Sequence, residues 1–150
     1  MSARCREAFD MVPPIKLNAA AVNALLRSAF PDGSDEFFPR VAEVAPGRVS
    51  VIRPYHDSML RPGRLISGPT LMGLADTAAY ALVLSHVGEE LMAVTSSLVM
   101  NFLRGAQPGE IHAEAQMLRL GRRNAVCDVR LWTEAPDRLA AQATVTYAIP

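Results

Sequence analysis

The sequence predicts an α+β fold: a curved antiparallel sheet of about six strands wrapped around one long central helix. Three observations predict it. Leu65 to Val87 is apolar nearly all round, so the helix it forms must be enclosed rather than laid on a surface. The second half of the chain carries four runs that alternate with period two, the pattern of strands with one dry face and one wet face. A chain of 150 residues has the length for a single domain with a real core.

The elements follow in order. Residues 1–36 read as an N-terminal arm, ending in Pro13-Pro14, and an outer helix. Asn18 fits a helix N-cap; Val22, Leu25, Leu26 and Ala29 follow at helical spacing, and Pro31 stops the run. Pro31 to Ser34 is a loop by composition. Residues 37–150 form the main body. Phe37 to Val44 and Arg48 to Tyr55 flank Ala45-Pro46-Gly47 as a hairpin. The apolar helix comes next, with Ser67 or Gly68 as N-cap and Pro69 in its first turn. In the first alternating run, Met92, Val94, Leu98, Met100 and Phe102 share one face, and Thr95 and Ser97 share the other. Ile111–Met117, Ala125–Trp132 and Leu139–Ile149 continue what reads as an antiparallel meander of four strands.

Composition excludes several classes. Half the residues are apolar and a fifth are charged, which suits a globular protein and not a disordered one. Fifteen basic residues balance fifteen acidic ones, so no overall field draws nucleic acid or a membrane. Cys5 and Cys127 make neither a disulfide framework nor a zinc spacing, so a reducing, cytoplasmic setting is the simplest expectation. Leu65–Val87 raises a transmembrane question, but an aspartate at a bilayer centre is expensive. A buried helix is the better reading.

That aspartate, Asp76, is the candidate functional centre. It lies two turns inside the helix, beyond the reach of the helix dipole, and burying it unpaired costs several kcal/mol, as an order of magnitude. Either hydroxyl or backbone donors from a neighbouring strand satisfy it, or it serves a site. Arg61 and Arg64 precede the helix while Glu89 and Glu90 follow it, both against the macrodipole; the basic pair suits an anion. Thr95-Ser96-Ser97 interrupts an apolar strand with three hydroxyls. Nucleotide-binding glycine motifs and a G-x-S-x-G elbow are absent, and His56, His86 and His112 form no metal spacing. His86 reads as a cap for the last helical turn, and His112 as exposed. His56 lies in a loop that can border a site.

Five pieces carry a resemblance: RPGRLISGPTLMGLADTAAY from Arg61, AVTSSLVMNFLRG from Ala93, Gly109-Glu110, Gly121 to Arg123, and AAQATVTYAI from Ala140. In order and spacing they resemble the hot-dog-fold thioesterases of the phenylacetate-degradation type, over roughly residues 37–149. The resemblance implies a helix wrapped by an antiparallel sheet, no cofactor, and a homodimer or homotetramer with active sites at the subunit interface. It implies that Asp76 stands at the position of the nucleophile or general base, and that the Gly68 N–H polarises the thioester carbonyl. Thr95 matches a hydroxyl position supplied by the partner subunit. Three positions depart from the family: Ser67 replaces a histidine, Pro69 a glycine, and Arg61 an asparagine or glutamine. Ser67 and Arg61 then inherit the task of orienting water or thioester. Met72 and Tyr80 are expected as pocket walls, and Arg104, Arg122 and Arg123 as contacts for CoA phosphates. The implied activity is acyl-CoA hydrolysis. Its rivals are an acyl-CoA binding protein without turnover and a dehydratase or hydratase, which needs a histidine beside Asp76.

Overall fold

A computed structural model describes residues 13–31 and 36–150. Cys5, most of the N-terminal arm and the loop at 32–34 lie outside the described residues.

Helix α1 (Ala19–Ala29) starts where Asn18 accepts a hydrogen bond from the Ala21 N–H at 2.9 Å, as an N-cap should. It buries Val22 and Leu26 and ends before Pro31. Strands β1 (Arg40–Ala45) and β2 (Arg48–Arg53) form the expected hairpin. The first strand begins only after Pro39, which has no N–H to give to a ladder. The Asn23 side chain of α1 closes the outer edge of β1. Its amide donates to the Val41 carbonyl at 2.9 Å and its oxygen accepts from the Val41 N–H at 2.8 Å.

A 3-10 turn (Asp57–Met59) leads into the short paired strands β3 (Leu60–Arg61) and β4 (Leu65–Ile66). The central helix α2 (Gly68–Val87) therefore begins three residues later than its apolar run. Strands β5 (Val94–Phe102), β6 (Ile111–Leu120), β7 (Asn124–Trp132) and β8 (Ala141–Ala148) complete the chain. One antiparallel sheet of six strands runs in the order β1-β2-β6-β7-β8-β5, with α2 against its inner face. This is the hot-dog fold.

The four-strand meander needs correction. Only β6, β7 and β8 are consecutive neighbours; β5 lies beyond β8 at the far edge. Alternation reports which face a residue takes, and not which strand lies beside it. In this place Leu98 and Met100 pair with Val145 and Ala143 and extend the dry face.

The inner face is rich in alanine: Ala113, Ala115, Ala125, Ala141 and Ala143 are all buried. Small side chains let the sheet approach the helix closely, while Leu74, Leu82 and Leu84 of α2 fill the core. The helix is long and apolar enough to cross a membrane, yet 67% of its apolar window is buried inside this sheet.

Candidate active site

The site starts at the first turn of α2, where the leading backbone N–H groups have no carbonyl partner within the helix. The Ser67 hydroxyl accepts from the Thr70 N–H at 3.3 Å and shares a 2.7 Å bond with the Thr70 hydroxyl. The Leu71 N–H goes to the Ser67 carbonyl at 3.3 Å, and Pro69 has no N–H. The Gly68 N–H is thus the first-turn donor left over among the described residues. Gly68 lies tight under Phe102: a Cβ there would stand 3.3 Å from the ring.

Asp76 is half-buried and partnered, which corrects the picture of a lone, fully buried charge. The Thr95 hydroxyl donates to its Oδ1 at 2.6 Å, and the Tyr147 phenol donates to the same oxygen at 2.7 Å. The donors come from β5 and β8 of the same chain, so they are strand hydroxyls, one of the two alternatives open from the sequence. Thr95 was expected to serve a partner's site; here it holds the acid of its own chain.

A bulge brings Thr95 there. Thr95 pairs with Tyr147 and Ser97 with Thr146, which leaves Ser96 as an extra residue in β5. One extra residue reverses the parity of everything before it. Thr95 therefore turns inward beside Tyr147 instead of outward with Val99 and Asn101. The Ser96 hydroxyl donates to the Thr146 carbonyl at 3.3 Å.

Sequence reasoning placed Tyr147 on an apolar inner face and gave it no role. Its ring stacks on Tyr80 with centroids 5.5 Å apart, nearly parallel. Burial, first, pushes the Tyr147 phenol far above its ordinary range; the Thr95 hydrogen bond works against it, and the hydrogen bond and charge of Asp76 and the neighbouring Tyr80 add to the rise. It stays protonated and donates. Tyr80 is also raised, by burial and then by Glu90, and its phenol donates to the Leu91 carbonyl at 2.8 Å.

Asp76, Tyr80, Thr95 and Tyr147 open onto a cavity of about 470 Å³ that Phe30 and Phe38 also line. A second cavity, also about 470 Å³, contains Arg61, Gly68, Phe102 and Arg104. Arg122 and Arg123 border a third, of about 490 Å³, with Ile149 and Pro150. Met72, expected as a wall, is exposed and lines none of the three. Asp76 and Gly68 are eight residues apart on one helix, about 12 Å along its axis. One chain therefore does not bring them to a single carbonyl group.

The histidines lie elsewhere. His86 is buried, and its Nε2 accepts from the Gly47 N–H at 2.9 Å in the β1–β2 turn. That fixes the proton on Nδ1, which lies 2.9 Å from the Leu82 carbonyl. It ties the helix to the hairpin and is more than the helix-end cap expected. His56 caps the 3-10 turn by accepting from the Ser58 N–H at 3.0 Å, and it does not line the Asp76 cavity. His112 is half-buried rather than exposed, stacked on Trp132 with centroids 5.6 Å apart. No group of metal-binding side chains occurs among the described residues.

Residues 63–140 match the family model of the thioesterase superfamily. The chain is similar to a presumptive thioesterase from Silicibacter sp. TM1040: 33% identical, TM-score 0.84, over 93% of this chain and 96% of that one. The phenylacetic acid degradation protein PaaI of Thermus thermophilus, in a mutant form, is 26% identical with a TM-score of 0.67, over 76% of this chain and 95% of that one. A presumptive esterase of Thermoplasma acidophilum is 23% identical over 73% of this chain and 81% of its own length. An acid held by two hydroxyls at a cavity, and a free N–H at the start of the same helix, sit within a hot-dog fold whose sequence belongs to the thioesterase superfamily.

Proposed function

We propose that the protein hydrolyses acyl-CoA thioesters as a homodimer, with Asp76 of one copy and Gly68 of the other at each site. The observation that carries this reading is the hydroxyl-bound carboxylate of Asp76 facing a cavity walled by aromatic rings. Asp76 takes a proton from water, and the water oxygen bonds to the carbonyl carbon. The oxyanion is stabilised by the Gly68 N–H of the second copy and the positive end of that helix. The C–S bond breaks, the proton passes to sulfur, and acid and thiol leave. The separation of about 12 Å along one helix favours sharing the site between copies.

The exposed edge supports the dimer. Among the described residues, strand β5 is unpaired on its outer side and exposes Val94, Val99 and Phe102, followed by Leu103. Such an edge is a template for a second chain. Arg61 and Arg104, beside Gly68, suit the phosphates of CoA, with Arg122 and Arg123 as a further anionic contact. Tyr80 walls the acyl side.

Asp76→Asn should keep the fold and abolish thiol release from a panel of acyl-CoAs. Undiminished hydrolysis by that variant would sink the assignment.

One observation favours a second reading, acyl-CoA binding without turnover. The Ser67 hydroxyl is committed to capping the helix and does not replace the family histidine as a free side chain. That reading expects thermal stabilisation of the wild type by acyl-CoA with no thiol released.

A further inference from the structure

We propose that Tyr147 is a positioning residue for Asp76: its phenol, with the Thr95 hydroxyl, clamps Oδ1 so that Oδ2 is the oxygen turned to the reacting water. The inference rests on the reading of Asp76 as the acid that activates water.

The geometry carries it. Two hydroxyl donors converge on one carboxylate oxygen, at 2.6 and 2.7 Å. A carboxylate is acceptor-only and has four lone-pair sites, so two charge-assisted bonds to Oδ1 fix the group and leave Oδ2 outside the clamp. The phenol also lies 3.2 Å from the Asp76 carbonyl, but a single O–H favours the shorter, charged acceptor. The donors sit on adjacent strands, and Thr95 is directly paired with Tyr147 in the ladder. The Tyr147 ring is held in turn by its stack on Tyr80, whose own phenol is tied to Leu91. Rotation of the carboxylate therefore requires breaking bonds to two elements at once. Burial keeps the phenol protonated, so the donor persists across the working pH range.

Tyr147→Phe keeps the ring and its stack and deletes only the donor. It should lower kcat about tenfold and leave KM within about twofold, since a bond that orients the acting group is lost without changing ground-state binding. At neutral pH the carboxyl 13C resonance of Asp76 should move in Tyr147→Phe and stay in place in the control Tyr55→Phe, whose phenol bonds Asp57 on the surface. Replacing Tyr147 with 3-fluorotyrosine, which keeps an O–H in nearly the same volume, should restore kcat and shift the same resonance in the opposite sense. It also provides the test should Tyr147→Phe not fold. An unmoved resonance, or wild-type kcat in Tyr147→Phe, overturns the inference. The resonance reads the contact even without turnover, whereas full activity in Asp76→Asn overturns the functional reading beneath it, so the two failures are distinguishable.

Discussion

The Thr95 hydroxyl reaches Asp76 at 2.6 Å from a strand position that strict alternation turns away from the helix. The extra residue Ser96 makes the difference. Deleting Ser96 removes the bulge and leaves Thr95 opposite Tyr147 on the inner face, so thiol release should stay closer to wild type than in Thr95→Val, which should fall roughly tenfold for the loss of one bond to a charged group. Ser97→Ala should be near wild type. Turnover after the deletion as low as in Thr95→Val would contradict the pairing of Thr95 with Tyr147 as the source of the contact.

His86 and Gly47 are 39 residues apart in sequence and share a buried bond. His86→Phe leaves the Gly47 N–H without its acceptor. The expected cost is about 1–3 kcal/mol in urea unfolding, the penalty of an unsatisfied buried donor. Turnover per folded molecule should be unchanged. Equal stability of variant and wild type would contradict the role of this tie.

Asn23 occupies both polar groups of Val41. Asn23→Ala should cost about 1–3 kcal/mol and speed hydrogen exchange at the Val41 amide, because both partners are removed together. An amide that exchanges no faster would mean that another group covers it.

Cys127 is buried, and burial pushes its thiol from about 9 up to about 12. Between these values the folded thiol keeps its proton while the unfolded one loses it. Stability from this group is therefore constant below pH 9 and falls as pH rises toward 12, by at most about 1.4 kcal/mol per pH unit. Cys127→Ala should show a shallower alkaline decline than the wild type, and native Cys127 should resist iodoacetamide at pH 8. Parallel declines in the two proteins would contradict the shift.

Most of the architecture was legible because it rests on period. The helix was visible as an apolar run too continuous for a surface, and β6 to β8 as clean alternation. The position of β5 was not, since pairing partners leave no mark on a strand's own sequence. Thr95 was chosen for its hydroxyl, yet its face was misread, because a bulge within three consecutive hydroxyl residues carries no signal of its own. Tyr147 was missed although a signal existed. It is the one hydroxyl on the dry face of its own strand, among Ala141, Ala143 and Val145, and a buried phenol needs a partner. Met72 showed the opposite error: a large apolar residue near the helix start was read as lining when it is exposed.

The two borders of the sheet are unequal. At β1, Asn23 occupies the outward N–H and C=O of Val41 and the helix carrying it packs alongside; at β5 nothing among the described residues covers the edge. Adding strands in register at both borders would let copies stack without end, the geometry of a fibril. With one border stoppered, a join through β5 uses up the single free valence of each copy. Growth of the sheet then terminates at a pair, so a short amide side chain on the outer helix serves as a chain stopper for the whole molecule.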